Sequence, residues 1–249
     1  MAAEAYQDIT VEYESGVAKI RINRPDKLNA IRLQTYRELI SAFQAADESP
    51  KCHVIVLSGE GGKFSAGNDL ADLTGDDHSQ LMECVQGIFT TVSKLKKVLV
   101  AAVDGVAVGI GTTILLHCDI AIASHGTKFR LPFVNLGVGP EGGSSVLLPH
   151  VIGQKMAREV LFTGRFFSAE EALDWGLINR LVEPEKMVDV VAEYTSLLLK
   201  QPLLSLLATK ALMRESRPDV EELVARELKM FGSLLQTDET QKRINSFIR

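Results

Sequence analysis

The chain holds 249 residues, 46% hydrophobic and 24% charged, which places it with ordinary globular proteins and excludes the disordered, collagen-like and disulfide-rich classes. Its 27 lysines and arginines against 32 aspartates and glutamates leave a formal charge of −5. Without the basic surplus that grips a phosphate backbone, nucleic acid is not an expected partner.

In chain order, Ile9–Tyr13 and Val17–Ile22 are two short β-branched runs separated by Ser15-Gly16, the pattern of a hairpin. After Asn23-Arg24-Pro25 breaks that pattern, Ile31, Leu33, Tyr36, Leu39, Ile40 and Phe43 recur at helical spacing. Val54–Ser58 reads as a buried strand, residues 59–69 as a glycine-rich loop, and Leu81–Leu95 as a helix. Val98–Val103 is a further strand, followed by a glycine-rich turn, an apolar helix over Thr112–His117 and a strand over Asp119–Ala123. Strands alternating with helices predict an α/β architecture whose sheet is partly buried on both faces. From Pro184 the strand signals stop. Val220, Leu223, Val224, Leu228, Phe231 and Leu235 then mark one helical stripe, and Asp238–Arg249 reads as helical too. No low-complexity linker separates this part, so it is expected to dock on the rest.

Three glycine-rich loops lie at strand-to-helix junctions, where α/β proteins place ligands: Phe64–Leu70, Gly105–Gly111 and Leu136–Ser144. Glycines before a helix permit a sharp turn and present unpaired N–H groups to an oxyanion or a phosphate. Each loop alone is more simply read as a tight turn made for packing. The third glycine of a dinucleotide fingerprint and the Lys-Ser/Thr of a P-loop are both missing.

Taken together and in order, these segments resemble the crotonase (enoyl-CoA hydratase/isomerase) superfamily over nearly the whole chain. The resemblance rests on Asn23-Arg24-Pro25-x-x-x-Asn29-Ala30, Phe64-Ser65-Ala66-Gly67-Asn68-Asp69-Leu70 and Ala101-Ala102-Val103-Asp104-Gly105-x-Ala107. It continues through Cys118–Ala123, Leu136-Gly137-x-x-Pro140, Thr163-Gly164-Arg165-x-x-Ser168-Ala169-x-Glu171-Ala172 and Gly176-Leu177-Ile178. It implies an α/β fold built as a crotonase-like spiral of ββα repeats over residues 1–195. A helical C-terminal region, 196–249, would help to assemble a homotrimer or dimer of trimers. It also implies an acyl-CoA thioester substrate, an enolate intermediate and a place in fatty acid metabolism. Carried over by position, the backbone N–H groups of Asn68 and Ile110 form the oxyanion hole. Lys27, Leu28, Ser65, Ala66, Gly67, Asp69 and Leu70 would line the path of CoA. Because CoA is polyanionic and the chain acidic, Arg24 or Lys27 would have to supply local steering.

Which acyl-CoA reaction follows depends on carboxylates. Hydration of a double bond needs one group to activate water and another to manage the proton at C2. At the two positions where the family's hydratases carry glutamates, this chain has Thr113 and, after Pro132, Phe133. Instead Glu141 sits in Gly139-Pro140-Glu141-Gly142-Gly143, a position that in the peroxisomal-type Δ3,Δ2-enoyl-CoA isomerases supplies a single catalytic base. Moving a double bond from C3 to C2 takes a proton from C2 and returns one to C4, which one carboxylate can do. Two effects oppose each other at Glu141: helix N-terminal donors would lower its pKa, and an apolar pocket around Phe133 and Val138 would raise it.

The remaining candidates point elsewhere. His53, His78, His117, His125 and His150 are scattered without ligand spacing, and Cys52, Cys84 and Cys118 show no CxxC, so neither a metal, a disulfide framework nor a cofactor is expected. Ser65 and Ser144-Ser145 lack a sequence-visible base. Ser168-x-x-Glu171 reads as a capping box, Lys94, Lys96 and Lys97 as a solvated helix end, and Phe231 and Phe247 as packing residues or neighbours of the ligand. No apolar run approaches the ~20 residues of a membrane helix, Met1–Gln7 lacks a leader's basic flank, and Ser246–Arg249 is not a Ser-Lys-Leu address. A cytoplasmic protein is the expectation. Three functional readings stand: an isomerase, a hydratase or other crotonase-type lyase, and a non-catalytic acyl-CoA-binding module.

Overall fold

The computed structural model describes residues 6–74, 78–215 and 218–248. Met1 to Ala5, part of the segment read for a leader, and Arg249, the end of the tail read as helical, lie outside them. The strands are β1 (Ile9–Glu14), β2 (Val17–Ile22), β3 (Val54–Gly59), β4 (Val98–Val103), β5 (Val106–Val108), β6 (Ile120–Ser124), β7 (Lys128–Arg130), β8 (Phe166–Ser168) and β9 (Arg180–Val182). They form a six-stranded sheet in the order β1-β2-β3-β4-β6-β9 and a three-stranded sheet in the order β5-β7-β8. The expected hairpin is present: β1 and β2 pair antiparallel, and Ser15 and Gly16 both take positive φ, as a two-residue turn between twisted strands requires. From β2 onward the large sheet is parallel.

The chain spirals because β2, β3, β4 and β6 are each followed by a short extended segment that runs toward the second sheet, and then by a helix. β4 leads to β5 and β6 to β7 in this way. After β2 and β3 the corresponding segments are too short to count as strands but leave single parallel bridges, Ile31 to Asn68 and Ser65 to Ala107. The helices are α1 (Leu33–Glu48), α2 (Ser79–Lys94), α3 (Ile110–Thr113), α4 (Phe133–Leu136), α5 (Ser144–Ile152), α6 (Gln154–Thr163), α7 (Ala169–Asp174), α8 (Met187–Leu199), α9 (Leu203–Glu215), α10 (Val220–Leu235) and α11 (Asp238–Ile248).

Alternation along the strands divides the core. Ala18, Ile20, Ile55, Leu57, Leu99, Ala101 and Val103 face the main core, against Tyr36, Leu39 and Phe43 of α1 and Ile88 and Phe89 of α2. Val17, Val54, Val56, Val98, Val100 and Ala102 point the other way, toward Met187, Val191 and Tyr194 of α8. This explains why β4 is apolar at every position: both of its faces are covered. The division expected between residues 195 and 196 falls inside α8. α10 packs on α2, and α11 packs on α4 and the turn Leu70–Leu73, so the C-terminal helices close over the glycine-rich loops.

Three departures have local causes. The helix expected over Thr112–His117 is a single α-turn at Ile110–Thr113 continued by a tighter turn at Ile114–His117. The three-residue strands β5, β7, β8 and β9 are too short for alternation to announce them. Lys97 is not part of a solvated helix end: it is buried, and its ammonium donates to the carbonyls of Ala46 and Ser49 at the end of α1, where unpaired acceptors collect. Lys94 does stay in solvent, paired with Glu221.

Candidate active site

Two loops press together where the sheets meet. The Ser65 N–H donates to Val106 O at 3.0 Å, and the Val108 N–H returns a bond to Ser65 O at 3.0 Å. Glycine makes this approach possible at two points. A Cβ on Gly67, whose φ is +91°, would stand 2.7 Å from Val108 O, and one on Gly111 would stand 2.8 Å from Ser65 O. Ile31 and Asp69 exchange bonds with their neighbours across the Ile31–Asn68 bridge, so in a parallel ladder the Asn68 N–H faces away from Ile31. Ile110 is the first residue of α3, so its N–H has no intrahelical acceptor. The two amides expected to form the oxyanion hole thus lie on loops in contact, and neither donates to another group among the described residues. The Asn68 side chain is fixed from behind by the hydroxyl of Tyr36, a fully buried residue of α1.

Beside these loops lies a cleft of about 190 Å³. Ala66, Gly67, Asn68 and Leu70 form one wall, Val108 and Gly109 another, and Phe133, Leu136 and Val138 add an apolar side. Phe231 of α10 and Phe247 of α11 also line it, and Phe231 is at the same time buried in the main core, as its packing reading expects. Arg130 also lines the cleft, and sequence reasoning missed it; its Nε donates to Gly164 O at 2.7 Å and its guanidinium lies over Phe166. A larger cavity, about 540 Å³, lies between the large sheet and α8 and holds none of the expected site residues.

The residues assigned to the CoA path lie in different surroundings. Ala66, Gly67 and Leu70 lie on the cleft wall. Ser65 is fully buried, with its hydroxyl donating to Asn29 O and accepting from the Gly67 N–H, so its side chain shapes the loop from inside. Leu28 accepts a bond from the Ala66 N–H and is half exposed, and Lys27 is exposed beside it. Arg24 is committed to Asp69 at 3.1 Å and to Ala30 O, leaving Lys27 as the exposed cation of this stretch.

Glu141 is 1% exposed. Its Oε1 accepts the Thr113 hydroxyl at 2.6 Å, and Thr113 lies three residues beyond Ile110; its Oε2 is buried with no partner. Burial pushes the carboxyl pKa up to about 8, with the Thr113 bond acting against this and the charge of Glu227 adding to it. Burial, and then the Glu141 charge, hold the Tyr36 phenol well above its ordinary range, which puts Tyr36, Asn68 and Glu141 in one electrostatic neighbourhood. The two opposed effects at Glu141 are therefore resolved. The residue stands before the helix rather than in its first turn, and the helix donors are taken by another carboxylate. Glu227 of α10 accepts the Gly143 N–H at 2.6 Å, the Ser145 N–H at 2.9 Å and the Ser145 hydroxyl at 2.5 Å. Nothing near Gly143 in sequence announces a partner from α10.

Among the described residues no group of three or more His, Cys, Asp or Glu side chains could hold a metal, and no helix is long and apolar enough to cross a membrane.

Known proteins resemble this chain in sequence and fold. The sequence profile of the family described as "Enoyl-CoA hydratase/isomerase" matches residues 12–249. A crotonyl-CoA hydratase from Syntrophomonas wolfei is 30% identical, covering 98% of this chain and 96% of the relative. A trans-2-decenoyl-[acyl-carrier-protein] isomerase from Streptococcus mutans is 28% identical, covering 97% and 95%. The crystal structure of an enoyl-CoA hydratase/isomerase from Pseudoalteromonas atlantica T6c superposes with a TM-score of 0.91 at 30% identity, over 97% of each chain. With the paired glycine loops, the spiral of strands and a match across its length, the chain belongs to the enoyl-CoA hydratase/isomerase family, within the crotonase superfamily.

Proposed function

We propose that the protein is a Δ3,Δ2-enoyl-CoA isomerase that uses Glu141 as its single base. The observation that carries this reading is the state of the two buried carboxylates at the Gly139–Ser145 turn. Glu141 has an oxygen free, whereas both oxygens of Glu227 are occupied by donors from the start of α5. Hydration would need a second working acid or base, and Thr113 and Phe133 stand where the hydratases carry theirs.

In the proposed reaction the Glu141 carboxylate removes a proton from C2 of a 3-enoyl thioester. The C2–H electron pair moves toward the thioester carbonyl, and negative charge collects on its oxygen, where the Asn68 and Ile110 amides receive it. Each such donor is worth about 3–4 kcal/mol in the transition state, because fixed dipoles in a site without water need no reorganisation. Glu141, now protonated, returns the proton at C4, and the double bond settles between C2 and C3. No cofactor is consumed. Cleavage of the proton is eased because a carboxylate with a pKa raised to about 8 is a stronger base than an ordinary one. The C-terminal helices add Phe231 and Phe247 to the apolar wall of the cleft, where an acyl chain would lie.

The relatives favour a second reading: crotonyl-CoA hydratase and short-chain-enoyl-CoA hydratase are the printed names of two of them. There, Glu141 would activate water. The two are separated by giving the protein a 3-enoyl-CoA and crotonyl-CoA in parallel. Formation of the conjugated thioester from the first, well above hydration of the second, supports the isomerase; the reverse ratio supports the hydratase. Binding of either thioester without turnover overturns both.

A further inference from the structure

The Gly139–Ser145 turn, which carries Glu141, is held by several hydrogen bonds near its tip. The Ser144 hydroxyl donates to Glu141 O at 2.7 Å. His117 Nε2 lies 2.7 Å from Gly142 O, and because a carbonyl only accepts, that nitrogen carries the proton. Gly142 and Gly143 both take positive φ, and a Cβ on Gly142 would strike the Phe89 ring at 2.5 Å. Past the tip, the amides of Gly143 and Ser145 and the Ser145 hydroxyl all converge on one buried carboxylate, Glu227, from a helix 82 residues or more away in sequence.

A helix start with free amides is a natural seat for the nearest carboxylate, and Glu141 is only two residues from Gly143. Were Glu141 to turn onto those amides, it would be a weak, stabilised carboxylate no longer bonded to Thr113. We propose that Glu227 is a positioning residue for Glu141: by occupying the amides at the start of α5 it leaves the Glu141 carboxyl to Thr113 and keeps it poorly stabilised in its charged form. Glu227 also links the base to the C-terminal helices, so the same α10 that places Phe231 in the cleft wall sets the environment of the carboxyl. The groups that bear on Glu141 are Thr113 of α3, Tyr36 of α1 and Glu227; those that bear on Glu227 are Ser145, Gly143 and the neighbouring Arg226. The His117 ring meets the turn at the Gly142 carbonyl.

This inference rests on the reading of Glu141 as the base, but its test need not. The carboxyl stretch of Glu141, isolated as an infrared difference between the wild type and Glu141→Gln, reports its protonation with no substrate present. Glu227→Gln removes the charge and places an amide nitrogen where an acceptor is needed. The expected result is a downward shift of the Glu141 midpoint by about one pH unit or more. The acid limb of kcat/KM should follow it, with a lower plateau of kcat and little change in KM. Ser145→Ala, a milder change, withdraws one donor from Glu227, makes its charge less favourable and should shift the midpoint the same way by less. A merely structural Glu227 would lower the melting temperature and leave the midpoint where it was. An unshifted midpoint in folded Glu227→Gln overturns the proposal; should that variant fail to fold, an unshifted midpoint in Ser145→Ala does so. If the midpoint moves but no 3-enoyl-CoA is turned over, the positioning stands and the isomerase reading falls.

Discussion

Replacing Glu141 by Gln should remove a pH dependence of stability that the wild type has. Gln keeps the shape, and its carbonyl oxygen can still accept the Thr113 hydroxyl seen at 2.6 Å. In the folded wild type the carboxyl pKa is pushed up to about 8, chiefly by burial, from an ordinary 4.5. A raised carboxyl pKa means that the folded state holds a proton which the unfolded chain has released. The stability that the neutral carboxyl confers is therefore complete below the unfolded pKa and is lost as pH rises through the folded one. The two values are about 3.5 units apart, which corresponds to about 5 kcal/mol at full ionisation, lost at about 1.4 kcal/mol per pH unit. Urea denaturation of both proteins at fixed concentration from pH 4 to pH 9 measures this, because the other titrating groups are common to both and cancel in the difference. The wild type should lose ground to Glu141→Gln steadily between pH 5 and pH 8 and then level off. Parallel curves would refute the reasoning, since they would mean that Glu141 ionises inside the fold as easily as outside it.

Further outcomes follow from the same geometry. The acid limb of kcat/KM for a 3-enoyl-CoA should rise through pH about 8, since Glu141 acts as base only when ionised; a flat profile from pH 6 to pH 9 would count against it. Gly111→Ala places a Cβ 2.8 Å from Ser65 O and should separate the two loops, costing about 10²- to 10³-fold in kcat while the far-ultraviolet circular dichroism stays unchanged. Tyr36→Phe removes the hydroxyl that fixes the Asn68 side chain and should cost about 1 kcal/mol of stability in chemical denaturation together with a measurable fall in kcat. Phe247→Ala, in the wall of the cleft, should raise KM for the thioester more than it lowers kcat.

The parts of this site that were legible in the sequence are those made by neighbours in the chain. Glycine loops at strand ends, the Ser15-Gly16 hairpin and the Ser168–Glu171 capping box depend on local backbone chemistry, and each is present as read. Glu141 could be singled out from its own motif, but its surroundings could not. Thr113, Tyr36 and Glu227 reach it from three different helices, and the outcome of the contest between helix donors and burial depended on Glu227, which lies in a stripe of otherwise apolar residues on α10. The same holds for Lys97, whose charge suggested solvent until the end of α1 supplied carbonyls for it. Arg130 escaped notice because a single cation between Phe129 and Leu131 carries no pattern, and only the fold brings it to the cleft.

The central claim is that one carboxylate moves a proton between C2 and C4 of a thioester whose oxygen rests on the Asn68 and Ile110 amides. The most direct measurement is the rate at which Glu141→Gln converts a 3-enoyl-CoA to its conjugated isomer, at saturating substrate and above pH 8, beside the wild type. The account predicts that binding persists while kcat falls by at least about 10³-fold, beyond the ~10²–10⁴ a general base commonly supplies only at its lower end. Wild-type turnover by the folded variant would contradict it.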